Sequence, residues 1–160
     1  MAEQPLTFLI HDKHGCTYRL VVAEGEHDFC SYLHDNQNTA GRLNVDFASP
    51  DEWEIADLVL FEKSPQAVNW FFRLLRDFTS WKPKVIDYRF RGLGAALLQF
   101  VEEQARQRNI KRVVGKVVRR DYNDWPELLN WYAKRGFTVT PRNDDDASDT
   151  VARISKEMHP

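Results

Sequence analysis

Apolar and polar positions alternate through the first third of the chain. Residues 6–11 and 18–23 are apolar runs joined by Asp12-Lys13-His14-Gly15, a turn-forming stretch, and predict a hairpin. Residues 28–34 predict a third strand, closed by the polar turn Asp35-Asn36-Gln37-Asn38-Thr39-Ala40-Gly41. Residues 42–48 alternate strictly: Leu43, Val45 and Phe47 face one way, Arg42, Asn44 and Asp46 the other. That is the pattern of a half-buried strand. Ser49-Pro50-Asp51 breaks it, and residues 53–61 predict a fifth strand. Leu58-Val59-Leu60-Phe61 make its end apolar on both faces, as in the interior of a sheet.

The period then changes. Residues 64–81 are aromatic-rich, and Val68, Phe71, Phe72 and Leu75 fit the spacing of a short helix. Residues 92–109 are amphipathic, with Leu97, Leu98, Val101 and Ala105 on one stripe and Glu102, Glu103, Arg106 and Arg108 off it. Residues 112–120, with Val113, Val114, Val117 and Val118, predict a strand. Asp124-Trp125-Pro126-Glu127 reads as a helix start, with Asp124 as cap, Pro126 in the first turn and Glu127 completing a box. That helix runs through Leu128, Leu129, Trp131 and Tyr132 to Gly136, which suits a left-handed C-terminal residue. Residues 137–140 and 150–155 predict two last strands around a polar loop. The result is a mixed α/β chain, read as one domain over 1–160 with an aromatic-rich insertion at about 64–84.

Composition adds one asymmetry. The 160 residues are 42% apolar and 29% charged, with two cysteines and a net charge of −2. No apolar run approaches the ~18 residues of a membrane span. The first residues lack a signal-peptide pattern, and two cysteines make no disulfide framework. A soluble cytoplasmic protein is the expectation. The net charge hides an uneven distribution: residues 82–120 hold eleven Lys and Arg against three acids, a net +8, and the remainder carries −10. A basic segment of this kind is either a solvated helix face or the place where an anion is handled.

Arg89-Phe90-Arg91-Gly92-Leu93-Gly94 opens the amphipathic helix. The first N–H groups of a helix lack internal partners and carry partial positive charge. Two glycines let an anion approach the backbone, and a phosphate or pyrophosphate is the natural guest. A Walker loop would need Gly-Lys-Ser/Thr, which is absent. A dinucleotide fingerprint would need a third glycine where Leu97 stands. It would also need an acid near the end of the next strand, which closes in Arg119-Arg120 and is followed only by Asp121.

Residues 87–98, Asp-Tyr-Arg-Phe-Arg-Gly-Leu-Gly-Ala-Ala-Leu-Leu, and 131–137, Trp-Tyr-Ala-Lys-Arg-Gly-Phe, resemble the loop–helix and the aromatic-tyrosine hallmarks of the GNAT superfamily of N-acetyltransferases. The resemblance is good over residues 85–140. It implies an α/β, acyl-CoA N-acyltransferase fold: a mixed, mostly antiparallel sheet splayed between strands 4 and 5 and flanked by helices. Those strands would lie at about 53–62 and 112–120. It implies acetyl-CoA as cosubstrate, bound at Arg89, Phe90, Arg91, Gly92, Leu93, Gly94 and Ala95. Backbone N–H groups of 91–95 would hold the pyrophosphate, and the end of the fourth strand would pair with the pantetheine amides. The implied activity is acetyl transfer by direct attack of a primary amine of a small molecule or peptide.

Three features depart from the family pattern. About twenty residues, 64–84, intervene between the fourth strand and the loop, and either cover the core or form a lid or dimer contact. The usual helices after the first strand are replaced by strand and turn over 24–50. Trp125 stands where many members carry Asn, and Asn123 is the candidate in its place.

An alkylammonium must lose a proton before it attacks, and the departing thiolate benefits from gaining one. By resemblance Tyr132 is the acid. Glu54 and Asp57 are the candidate bases on the fourth strand, with Glu62 behind them and a water relay as the alternative. Asp144-Asp145-Asp146 with Asp149 is either a solvated loop or an acidic patch suited to a cationic amine. His11, His14 and Cys16 are turn residues without zinc spacing, so no metal site is expected. A catalytically silent GNAT-like module that binds acyl-CoA or a protein is the alternative reading. Nucleic acid ranks last, because valines rather than stacking aromatics interleave the basic strand. A homodimer stays open.

Overall fold

A computed structural model describes residues 5–36, 38–61 and 87–159. The aromatic-rich stretch at about 64–84, the helix expected in it and Glu62 lie outside them. The described chain forms β1 (Leu6–His11), β2 (Thr17–Glu24), β3 (Asp28–His34), β4 (Thr39–Ser49) and β5 (Glu52–Leu60). It continues with α1 (Leu93–Gln107), β6 (Arg112–Val118), α2 (Arg119–Asp124), α3 (Leu128–Ala133), β7 (Thr138–Pro141) and β8 (Thr150–Glu157).

The strands make one sheet in the order β1-β2-β3-β4-β5-β6-β8-β7. Neighbours are antiparallel except β5 and β6, which run parallel. Period-2 alternation decides which face is buried. Tyr18, Leu20 and Val22 of β2, Phe29 and Leu33 of β3, and Leu43 and Val45 of β4 all point into the core. The stripe of α1 closes that core with Leu93, Leu97, Leu98, Phe100, Val101 and Ala105. Phe29 meets Trp53 at 5.5 Å and Phe100 at 6.2 Å, both edge to face. Residues 24–50 form the β3–β4 pair, so the strand that corresponds to the family's fourth is β5, and the family's fifth is β6.

Three boundaries differ from the sequence expectation, and the first is that Thr39, Ala40 and Gly41, read as turn, belong to β4, where Thr39 and Gly41 pair with β3. The strand read over 112–120 ends at Val118, where the valine pattern stops, and Arg119–Asp124 turns into α2. Asp124 therefore closes α2 and caps nothing. The last helix starts only at Leu128, and no side chain caps it. Pro126 is the cause. A residue before proline is pushed out of the helical region, and Trp125 is extended, at φ −146° and ψ 89°. The helix expected from Asp124 thus starts late, and Arg119–Asp124 forms a separate short helix where the strand was expected to end. Gly136 adopts φ 82°, as its place after the helix requires.

One buried charge fastens the start of α1 to the far edge of the sheet. Asp12, in the β1–β2 turn, has a fully buried side chain. Its Oδ1 accepts the N–H groups of His14 and Cys16, both at 2.9 Å. Its Oδ2 accepts the Tyr18 hydroxyl and the Arg91 Nη1, both at 3.3 Å. The Lys13 N–H donates to the Arg91 carbonyl at 2.9 Å. Burial alone would raise the Asp12 pKa, but these four donors together hold it below its ordinary value. Its stabilising contribution is therefore present above the ordinary carboxyl pKa of 3.8 and is lost as pH falls through the lower folded value. Asp12→Ala should cost roughly 2–4 kcal/mol in urea unfolding at pH 7, because Arg91 loses its buried partner. Asp12→Asn should flatten the acid limb of the stability–pH curve.

Candidate active site

The loop before α1 is shaped by two left-handed residues, Phe90 at φ 61° and Gly92 at φ 83°. The Ala96 N–H makes the first backbone bond of the helix, to the Gly92 carbonyl at 3.1 Å. The preceding helix-start N–H groups have no intrahelical partner. The first turn holds no acid and no side-chain cap. Gly94 is buried, and a Cβ there would sit 3.4 Å from the Trp131 ring and 3.8 Å from Leu60, in ordinary contact with no room to spare. Leu93 is wholly buried, so it can offer a ligand only its backbone. The arginines of the loop do not both face outward as anion binders. Arg91 turns inward to Asp12 and to the Tyr18 hydroxyl, 3.2 Å away. Arg89 pairs with Asp87 at 2.8 Å on the surface.

A cleft opens where β5 and β6 part. Their ladder covers only Glu52–Ile55 against Arg112–Gly115, although both strands run further. On its other side β5 pairs Asp57 with Asn44 and Ile55 with Val45, so Ala56 is an extra residue. Such a bulge bends its strand. At the branch point Gly115 lies close to β8 and β5: a Cβ would come 3.2 Å from Ile154 and 3.4 Å from the Ile55 carbonyl oxygen. The cleft encloses about 260 Å³ and is lined by Ala56, Asp57 and Leu58 of β5, Lys116 and Val118 of β6, Arg120 and Asp121 of α2, and Tyr132 of α3.

Tyr132 is held in a row of rings. Phe90 meets Trp125 at 6.1 Å, Trp125 meets Trp131 at 5.8 Å, Trp131 meets Tyr132 at 4.9 Å, and Tyr132 meets Phe137 at 5.6 Å. The Arg135 guanidinium lies 4.0 Å above the Trp131 ring. Tyr132 is 8% exposed. Burial, with the Asp121 charge adding to it, pushes its pKa up to about 12. The phenol is therefore a protonated donor facing a cleft.

Three of the carboxylates read from the sequence, Asp57, Glu54 and Asp146, are engaged by basic partners. Asp57 lines the cleft, with its Oδ2 held by Arg42 Nε and Nη2. Glu54 does not line it and pairs with Lys116 at 2.9 Å. Asp146 is not a solvated loop residue: it is buried, accepts the Asn143 N–H at 2.7 Å and pairs with Arg153 at 2.6 Å. Asn123 is exposed on α2, outside the cleft lining. Sequence reasoning missed Arg42, Lys116, Arg120 and Asp121 as cleft neighbours. Only Lys116 left a signal, since it stands out of the apolar face of its strand. His11, His14 and Cys16 lie in and around the Asp12 turn, and no group of three His, Cys, Asp or Glu suited to a metal occurs among the described residues.

No family known from sequence matches the chain, and no curated protein does. Solved structures do. PaiA N-acetyltransferase from Thermoplasma acidophilum in complex with coenzyme A is 15% identical, with a TM-score of 0.51 over 82% of this chain and 61% of that one. The chain thus spans less than two thirds of that neighbour. A GNAT-family acetyltransferase from Staphylococcus aureus Mu50 is 12% identical, with a TM-score of 0.56 over 82% and 69% of the two chains. Nourseothricin acetyltransferase is 16% identical, with a TM-score of 0.56 over 99% and 87%. The fold is that of the GNAT acetyltransferases: a mixed sheet opened at one parallel pair and flanked by helices.

Spectrophotometric titration should show no tyrosine ionising below about pH 11 in the difference between wild type and Tyr132→Phe. A step near the ordinary value of 10.0 would mean that Tyr132 is not buried as described.

Proposed function

We propose that the protein is an acyl-CoA-dependent N-acetyltransferase that moves an acetyl group from acetyl-CoA to a primary amine. The observation that carries this reading is the junction of two features. The start of α1, with no side-chain cap on its first N–H groups, lies through Gly94 against Leu60 and Trp131, and Trp131 packs on Tyr132, the protonated tyrosine that lines the cleft. The residues present suit such a cofactor. The N–H groups at 92–95 suit a pyrophosphate. Gly94 lets the start of α1 pack close to Trp131 and Leu60, and the part of β5 beyond Ile55 has backbone that β6 does not use.

The bound thioester supplies an activated acetyl carbon. In this reading the neutral amine attacks it, the C–N bond forms and the C–S bond breaks. Tyr132 gives its proton to the departing sulfur, and the nitrogen loses its proton to water in the cleft. Asp57 is the candidate carboxylate that lines the cleft, and Glu54 is turned to Lys116. Asp57, Glu54 and Asp146 each have a cationic partner, so acidic residues on this side lend no support to a polycationic acceptor. Among the described residues, no helix is long and apolar enough to cross a membrane.

Calorimetry with acetyl-CoA and a thiol-release assay over a panel of amines test the reading. Acetyl-CoA should bind, and Tyr132→Phe should lower kcat about 10²- to 10⁴-fold with binding unchanged. Gly94→Leu should abolish binding, because its side chain would meet Trp131. Absence of acetyl-CoA binding overturns the proposal. Binding without turnover on any amine would favour the silent acyl-CoA-binding module.

A further inference from the structure

We propose, building on the reading above, that Phe90 backed by Trp125 is a stacking platform for the adenine base of the cofactor. Phe90 is 67% exposed, the most exposed large apolar side chain among the described residues. It does not sit on a strand edge, where Leu6 and Leu9 lie, but beside the helix-start N–H groups. Its backbone is left-handed, at φ 61°, a conformation that bulky side chains rarely adopt. Two contacts hold the ring in place: the edge-to-face contact with Trp125 and the Arg89 guanidinium 6.0 Å from its centroid.

Trp125 owes its position to Pro126, which breaks the α2–α3 run at that residue. Where many members of the resembled family carry Asn, this chain carries an indole that meets Phe90. The aromatic row thus runs from the exposed Phe90 through Trp125 and Trp131 to Tyr132 in the cleft. The chemical order of the cofactor follows the same line. Its thiol arm is matched to the cleft, its pyrophosphate to the helix-start N–H groups, and its flat base to the ring beyond them. A base has an apolar face at any orientation, so an exposed aromatic can take it without hydrogen bonds.

The test compares ligand fragments across variants by calorimetry at fixed pH and salt. The ligands are coenzyme A, adenosine 3′,5′-bisphosphate and 4′-phosphopantetheine, which lacks the nucleoside. Phe90→Ala should weaken coenzyme A and the bisphosphate by roughly 5- to 150-fold, the range of base–aromatic stacking. Phosphopantetheine should stay within twofold. Phe90→Gly, which accepts the left-handed backbone freely, should lose coenzyme A as much as Phe90→Ala does, and Phe90→Trp should keep it. Equal loss for all three ligands would make Phe90 a shaper of the loop and overturn the platform. So would an unchanged coenzyme A affinity, while leaving the acetyltransferase reading intact. Failure of coenzyme A to bind the wild type would overturn both.

Discussion

Burying the Asp12 carboxylate removes its hydration, and the chain offsets that only because four donors converge on it. Three come from its own hairpin. The fourth is Arg91, 79 residues away, in the loop that opens α1. The residue that looks most suited to grip an anion instead anchors the backbone that surrounds it. The start of α1 is thereby referenced to the β1–β2 edge, and the Lys13 N–H to the Arg91 carbonyl adds a second tie. A loop with two left-handed residues needs such an external frame, since its own backbone preferences would not select this shape.

The cleft arises from a second constraint, the early end of the parallel ladder. β5 is bent by the extra residue at Ala56, and β6 is drawn toward β8, which it pairs along nearly its whole length. Gly115 marks the branch because only a residue without Cβ fits comfortably between Ile154 and β5. Past that point the strands diverge, and Tyr132 faces the gap from α3. Charges around the opening come in pairs, Arg42 with Asp57 and Lys116 with Glu54. These pairs are partly exposed, so each contributes little to stability. They do leave the mouth close to neutral.

Much of this could be read from the residues in order. Alternation marked the strands of the first half, because one face of that sheet is buried and the other is not. The stripe of α1 and the two loop glycines located the helix start proposed to hold the pyrophosphate. The Tyr-x-x-x-Gly-Phe spacing picked out Tyr132, which does face the cleft. Boundaries failed where local rules conflicted: the capping pattern put a helix start at Asp124, but Arg119–Asp124 is itself a short helix and the steric effect of Pro126 on Trp125 delays the next one to Leu128.

Periodicity and residue type by themselves determined the strands, the amphipathic helix with its buried stripe, and the glycines at its start, since these depend on neighbours within a few positions. The tertiary structure decided which charges are spoken for. Arg91 belongs to Asp12, Asp57 to Arg42, Glu54 to Lys116 and Asp146 to Arg153. It also decided that Phe90, Trp125, Trp131 and Tyr132 form one row. Most of these pairings join strands or loops far apart in the chain. A side chain's partner is chosen by the register of the sheet and the crossing of the helices, which no local pattern encodes.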